Sequence, residues 1–101
     1  GLPASSFVFE GFIPLKKGKK TLMESLANEE RTMIFYESPM RLVKTLELFK
    51  EYFGADRKAA VSRELTKIYE ENITDTLDNL ITHFSAKQVK GEIVIIVAGK
   101  E

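Results

Sequence analysis

The sequence predicts an α/β fold: a single mixed sheet of five strands flanked by about three helices. Three observations predict it. Segments of strand composition alternate with segments of helical period, in the order β-α-β-α-β-β-α-β. A strand-to-helix switch runs from Thr32 to Phe53: Thr32-Met33-Ile34-Phe35-Tyr36 is apolar and β-favouring, and Leu42, Leu46, Phe49 and Phe53 then form one helical stripe. Finally, Ile93-Val94-Ile95-Ile96-Val97-Ala98 is an unbroken, mostly β-branched run, which predicts a central strand buried on both faces. A last strand that becomes central must insert between earlier ones.

The first strand is Phe7 to Phe12, ended by Pro14, with its alternation broken at Glu10 and Gly11. Leu15-Lys16-Lys17-Gly18-Lys19-Lys20 follows, with four lysines in five residues. Such a run either meets phosphates or is a solvated loop leading into a helix. The first helix spans Lys19 to about Asn28, and Leu22, Met23 and Leu26 give it a short apolar face. After the strand Thr32–Tyr36, Ser38 offers a side-chain N-cap and Pro39 suits the first helical position. Gly54 fits the end of that helix, and Ala55-Asp56-Arg57 is a turn.

Lys58 to Leu65 is the third strand, and Tyr69 to Thr74 reads as an edge strand. Thr76 caps a third helix with Leu77, Leu80, Ile81 and Phe84 on its inner face; His83 falls off that stripe and is expected to face solvent. Gln88 to Gly91 is a turn. In open α/β sheets ligands bind beyond the carboxyl ends of strands. Two such places stand out: Glu37-Ser38, and the polar cluster Arg63, Glu64 and Lys67. Each also fits a plain structural role, as a capped β–α connection and as a surface ion-pair cluster.

The 101 residues suffice for one domain with one core. Fifteen basic residues balance fifteen acidic ones, so only a local patch argues for nucleic acid. The absence of cysteine excludes disulfides and thiolate metal sites and suits a reducing cytoplasm. A single histidine excludes a His-rich metal cluster. No apolar run reaches membrane-spanning length and none resembles a signal peptide, so no membrane partner is expected. Gly1-Leu2-Pro3 reads as the close of a helix begun elsewhere, so a fragment of a longer protein is expected.

Four blocks carry a family resemblance in order and spacing: Phe7-Val8-Phe9-Glu10-Gly11-Phe12-Ile13-Pro14, Phe35-Tyr36-Glu37-Ser38-Pro39, Arg63-Glu64-Leu65-Thr66-Lys67 and Gly91-Glu92-Ile93-Val94. Thr76-Leu77 and His83-Phe84 fit as well. The chain resembles the ribosomal RNA small-subunit methyltransferase I family, within the tetrapyrrole methylase superfamily, over nearly its whole length. It departs at Met40, where many members have histidine.

The resemblance implies a carboxy-terminal domain of the tetrapyrrole methylase type, from a two-domain enzyme whose amino-terminal cofactor loop has no counterpart here. It implies methyl transfer from S-adenosylmethionine to the ribose 2′-hydroxyl of a cytidine in small-subunit ribosomal RNA, in a cytoplasmic homodimer acting on that RNA or on a 30S-type subunit. Cofactor contacts are then expected near Tyr36, at Arg63 or Glu64, and near Gly91 or Glu92. Glu37 and Glu64 are the candidate proton acceptors. Lys16, Lys17, Lys19, Lys20, Arg63 and Lys67 are the candidate RNA contacts. Two other readings stay open: a tetrapyrrole methyltransferase, and a non-catalytic RNA-binding or dimerisation module.

Overall fold

The computed structural model describes residues 7–66, 69–87 and 89–101. Its elements follow the predicted order: β1 (Phe7–Phe12), α1 (Lys19–Leu26), β2 (Thr32–Glu37), a 3₁₀ turn (Pro39–Arg41), α2 (Leu42–Phe53), β3 (Lys58–Thr66), β4 (Tyr69–Thr76), α3 (Leu77–Ser85) and β5 (Glu92–Val97). They form one five-stranded sheet in the order β1-β2-β5-β3-β4. β1 pairs with β2 in parallel and the other pairings are antiparallel. The last strand does insert centrally, between β2 and β3.

Register sorts the side chains into two faces. Met33, Phe35 and Glu37 of β2 stand opposite Val97, Ile95 and Ile93 of β5, which stand opposite Ala59, Val61 and Arg63 of β3. Their apolar members join Met23 and Leu26 of α1, Leu42, Leu46, Phe49 and Phe53 of α2, and Leu77, Leu80 and Phe84 of α3 in one core. The helices therefore cover one face. Phe35 and Phe49 are wholly buried with ring centroids 4.7 Å apart, and burial of each contributes about 1.5–3 kcal/mol.

The other face is open, which corrects one expectation. Burial of β5 alternates: Ile93, Ile95 and Val97 are buried, while Val94 and Ile96 are only half-buried. An unbroken apolar run meant two covered faces, but among the described residues no helix lies over the second one. Ile34, Val94 and Ile96 share it with Tyr36, Phe9 and Phe12, which are 42%, 60% and 67% exposed.

The start of α2 also differs. Ser38 has the extended backbone of a cap, but its side chain makes no capping hydrogen bond. The chain passes through the 3₁₀ turn before α2 begins, and the Arg41 N–H donates to the Ser38 carbonyl at 3.1 Å. At α3 the cap is as predicted: Thr76 accepts a hydrogen bond from the Asn79 N–H at 3.2 Å. His83 is half-buried, not solvent-facing, and its ring meets Phe84 edge-on at 4.8 Å. Its Nε2 is buried and has no hydrogen-bond partner among the described residues. α3 packs against both α2 and β4; of the predicted stripe, Leu77, Leu80 and Phe84 are buried and Ile81 is half-buried.

Candidate functional site

Strand directions bring the carboxyl ends of β1, β2 and β3 to the same edge as the amino end of β5. A cleft of about 380 Å³ lies at that edge. Tyr36, Glu37, Gly91 and Glu92, four of the predicted site residues, line it together with Phe12, Ser38, Pro39 and Ile93. Gly91 has a φ of 93°, which disfavours other residues, and its missing side chain leaves backbone open to a ligand.

Glu37 is a buried member of the cleft. Its side chain is only 1% exposed, although β2 ends there. One carboxylate oxygen accepts from the Ser38 N–H at 2.8 Å and the other from Thr45 Oγ1 at 2.5 Å. Arg41 Nη1 lies 3.7 Å away. A buried carboxylate needs such partners, since leaving it unpaired would be far more costly than any gain in packing. The group ties the end of β2 to the second turn of α2, and both oxygens are engaged by the protein itself. Thr45 was missed in the sequence because a threonine beside Leu42 and Leu46 looks like a surface neighbour; its signal was a polar residue on the apolar side of the stripe.

Arg63 and Glu64 do not line the cleft. Arg63 lies on the helix-covered face, opposite Ile93. Its Nε donates to Glu71 Oε1 at 2.7 Å and its Nη1 to the Lys90 carbonyl at 3.3 Å, so it steadies the turn before Gly91. The Arg63 guanidinium holds the Glu71 carboxyl below the usual range, against the opposing effect of burial, with Lys87 and His83 adding to the lowering. Glu64 is exposed on the open face directly across from Glu92. Lys67 lies outside the described residues.

The lysine run follows β1 at the same end. Lys16, Lys17 and Lys20 are exposed and Lys19 is half-buried. Gly18 (φ 90°) turns the chain into α1, where a left-handed residue is needed. No carboxylate pairs with these lysines among the described residues. Met40 is 93% exposed.

A larger depression of about 430 Å³ sits at the opposite end of the sheet, beside Phe53, Arg57 and Lys58. It holds none of the predicted residues. Its Arg57 is already engaged: Nη1 donates to the Ala98 carbonyl at 3.0 Å and the guanidinium lies 5.2 Å from the Phe53 ring centre. Burial pushes the Arg57 pKa down. The cleft at the strand ends is the better candidate because the topology converges on it.

Comparison with known proteins agrees with this architecture. No protein-family model matches the chain. Curated proteins named Ribosomal RNA small subunit methyltransferase I match it from end to end. That of Thermotoga maritima is 42% identical over 101 residues, covering 100% of this chain and 45% of the relative. The Mesorhizobium japonicum protein is 47% identical over 103 residues, covering 100% and 35%. The Pseudomonas aeruginosa protein is 39% identical over 102 residues, covering 98% and 36%. The chain thus spans less than half the length of these relatives. Among solved structures, a cobalt precorrin-4 methyltransferase of cobalamin biosynthesis superposes with a TM-score of 0.67 at 15% identity, over 91% of this chain and 39% of that one. The methyltransferase CobJ superposes with a TM-score of 0.63 at 19% identity, over 92% and 41%. At such identities these two show the fold, a mixed five-stranded sheet of the tetrapyrrole methyltransferase type. The end-to-end similarity to the curated relatives is to a part of each: the chain is similar over its whole length to a segment of proteins named Ribosomal RNA small subunit methyltransferase I.

Proposed function

We propose that the full-length protein carrying this chain is an S-adenosylmethionine-dependent methyltransferase of small-subunit ribosomal RNA, and that the chain is its carboxy-terminal half. The observation that carries this is the identity of 42% and 47% over the entire chain to proteins bearing that name. The finer reading is methylation of the ribose 2′-hydroxyl of a cytidine, by a cytoplasmic homodimer.

The cleft fits one side of such a cofactor. Aromatic faces, here Phe12 and Tyr36, attract an adenine ring and a sulfonium charge. Gly91 permits close approach to backbone, and the Glu92 carboxylate suits ribose hydroxyls. When bound, S-adenosylmethionine supplies an electrophilic methyl group. The full-length protein's residues then have three tasks. They fix the geometry of an in-line displacement, where positioning is worth up to about 7–11 kcal/mol. They keep water from the reacting atoms. They give the hydroxyl proton an acceptor. Glu37 suits the first task, since its oxygens already hold the strand end to the helix. Glu64 stands outside the cleft, across the ladder from its Glu92, so the third task falls to the other half of the enzyme. Arg63 acts through the Lys90 carbonyl on the turn before Gly91. Lys16, Lys17, Lys19 and Lys20 suit phosphate contacts.

The test is incubation of the full-length protein with methyl-labelled S-adenosylmethionine and small ribosomal subunits lacking the modification, followed by nucleoside mass spectrometry. Labelled 2′-O-methylcytidine is the expected product. Label on a corrin precursor and none on RNA would move the reading to tetrapyrroles. Tight RNA binding without label transfer would leave a binding module.

A further inference from the structure

The aromatic side chains of the open sheet face have no role in the core. Phe9 and Phe12 flank Tyr36, with ring centroids 5.2 Å and 5.5 Å from it. The row depends on an irregularity in β1. Phe9 pairs with Ile34 and Gly11 with Phe35, so Glu10 is an extra residue in the register. Without it, Phe9 and Phe12 would point to opposite faces, because side chains alternate along a strand. With it, both stand beside Tyr36. Gly11, at φ 69°, supplies the left-handed residue that such a bulge uses. The row starts at Phe12 and Tyr36, which line the cleft, and continues away from it to Phe9. Four residues beyond Phe12 the lysine run begins, without carboxylate partners among the described residues.

We infer that this row is a stacking platform for unpaired nucleotides next to the one that enters the cleft, with Lys16, Lys17 and Lys20 meeting the phosphates between them. The inference rests on the RNA reading above and adds how that substrate is held. Two features favour RNA over a protein as occupant. Exposed aromatic faces beside uncompensated lysines match bases joined by phosphates. An apolar protein surface would leave the lysine charges unanswered. Single-stranded RNA is the fitting form, since bases in a duplex keep their faces stacked inside.

The test uses the full-length protein, a fluorescein-labelled single-stranded 12-mer RNA of mixed sequence and the same RNA as a duplex. Phe9→Leu/Phe12→Leu keeps an apolar surface and removes the stacking faces. It is expected to weaken single-strand binding by about tenfold or more, with the salt slope unchanged. Lys16→Ala/Lys17→Ala/Lys20→Ala is expected to flatten the slope of log K against log salt by about 2. Single-strand affinity unchanged in the leucine variant would overturn the platform. So would a leucine variant that loses single-strand and duplex binding equally. A shift in its sedimentation with no change in RNA affinity would also overturn it, assigning the face to a second copy or to the remainder of the protein. The outcomes separate from the parent reading. RNA methylation by the wild type with phenylalanine-independent affinity removes the platform alone, while phenylalanine-dependent affinity without any RNA methylation removes only the methyltransferase assignment.

Discussion

Replacing Thr45 by valine isolates the buried link that closes β2 onto α2. The hydroxyl donates to Glu37 Oε2, and both residues are 4% exposed. Valine preserves the branched shape and has a similar helix propensity, so the change is confined to one donor. A hydrogen bond to a charged group contributes about 1.5–3 kcal/mol, and the carboxylate oxygen left behind has no route to water. Thr45→Val should therefore cost about 2 kcal/mol, or roughly 10 °C in Tm for a chain of this size. Thr45→Ser keeps the donor and should cost less. Urea unfolding followed by circular dichroism should show a lower midpoint with an unchanged slope. In a double-mutant cycle with Glu37→Gln, the pair should couple by about 1 kcal/mol or more. A Thr45→Val chain within about 0.5 kcal/mol of wild type, or effects that simply add, would refute the link as a source of stability. Ser38→Ala is the control: lacking a capping bond, it should stay within about 0.5 kcal/mol.

Three further outcomes are expected. In the full-length enzyme, Glu37→Gln should slow single-turnover methyl transfer by less than about tenfold, whereas loss of the proton acceptor would cost 100-fold or more; a loss of that size would restore Glu37 to the chemistry. A Cβ at Gly99 would lie 2.0 Å from the Glu30 carbonyl oxygen and 2.7 Å from that of Arg31, so Gly99→Ala should destabilise by about 3 kcal/mol or prevent folding, and an unshifted melting curve would disprove the close approach. The Glu71 carboxyl titrates below its unfolded value because of the Arg63 guanidinium. The stability it contributes, up to about 1 kcal/mol, is thus fully present above about pH 4.3 and lost as pH falls through the lower folded value. The Tm difference between wild type and Glu71→Gln should hold from pH 7 to 5 and shrink below 4; a difference constant to pH 2.5 would refute the sign.

Local signals survived into the structure where one residue type has one physical use. The stripe Leu42, Leu46, Phe49 and Phe53 was readable because only a helix brings those positions together, and all four are buried. Thr76 was readable because its hydroxyl has a donor within its own turn. What failed depended on partners distant in sequence. The run Ile93–Ala98 states apolar character but not how many faces are covered, and that was decided by all three helices gathering on one side. Ser38 makes no capping bond, and the buried tie between β2 and α2 is instead the Glu37 carboxylate reaching Thr45, eight residues on. Tyr36, Glu37, Gly91 and Glu92 come together in one cleft because strand ends converge there. Arg63 does not line that cleft, since a strand's face is set by register with neighbours the sequence does not name.

The place of β5 has a consequence for how the chain comes off the ribosome. Before Glu92–Val97 is made, β1 pairs only with β2 and β3 only with β4, and no ladder joins the two pairs. β5 hydrogen-bonds to both at once, through Met33–Glu37 on one side and Ala59–Glu64 on the other. At synthesis rates of about 5–20 residues per second, the nascent chain waits seconds with two separate ribbons, each exposing an unpaired edge. Contacts this distant in sequence also close slowly. Translation that stalls before Glu92 leaves a product whose open strands are ready templates for pairing with another chain, so the newly made protein should be most prone to aggregate in that interval.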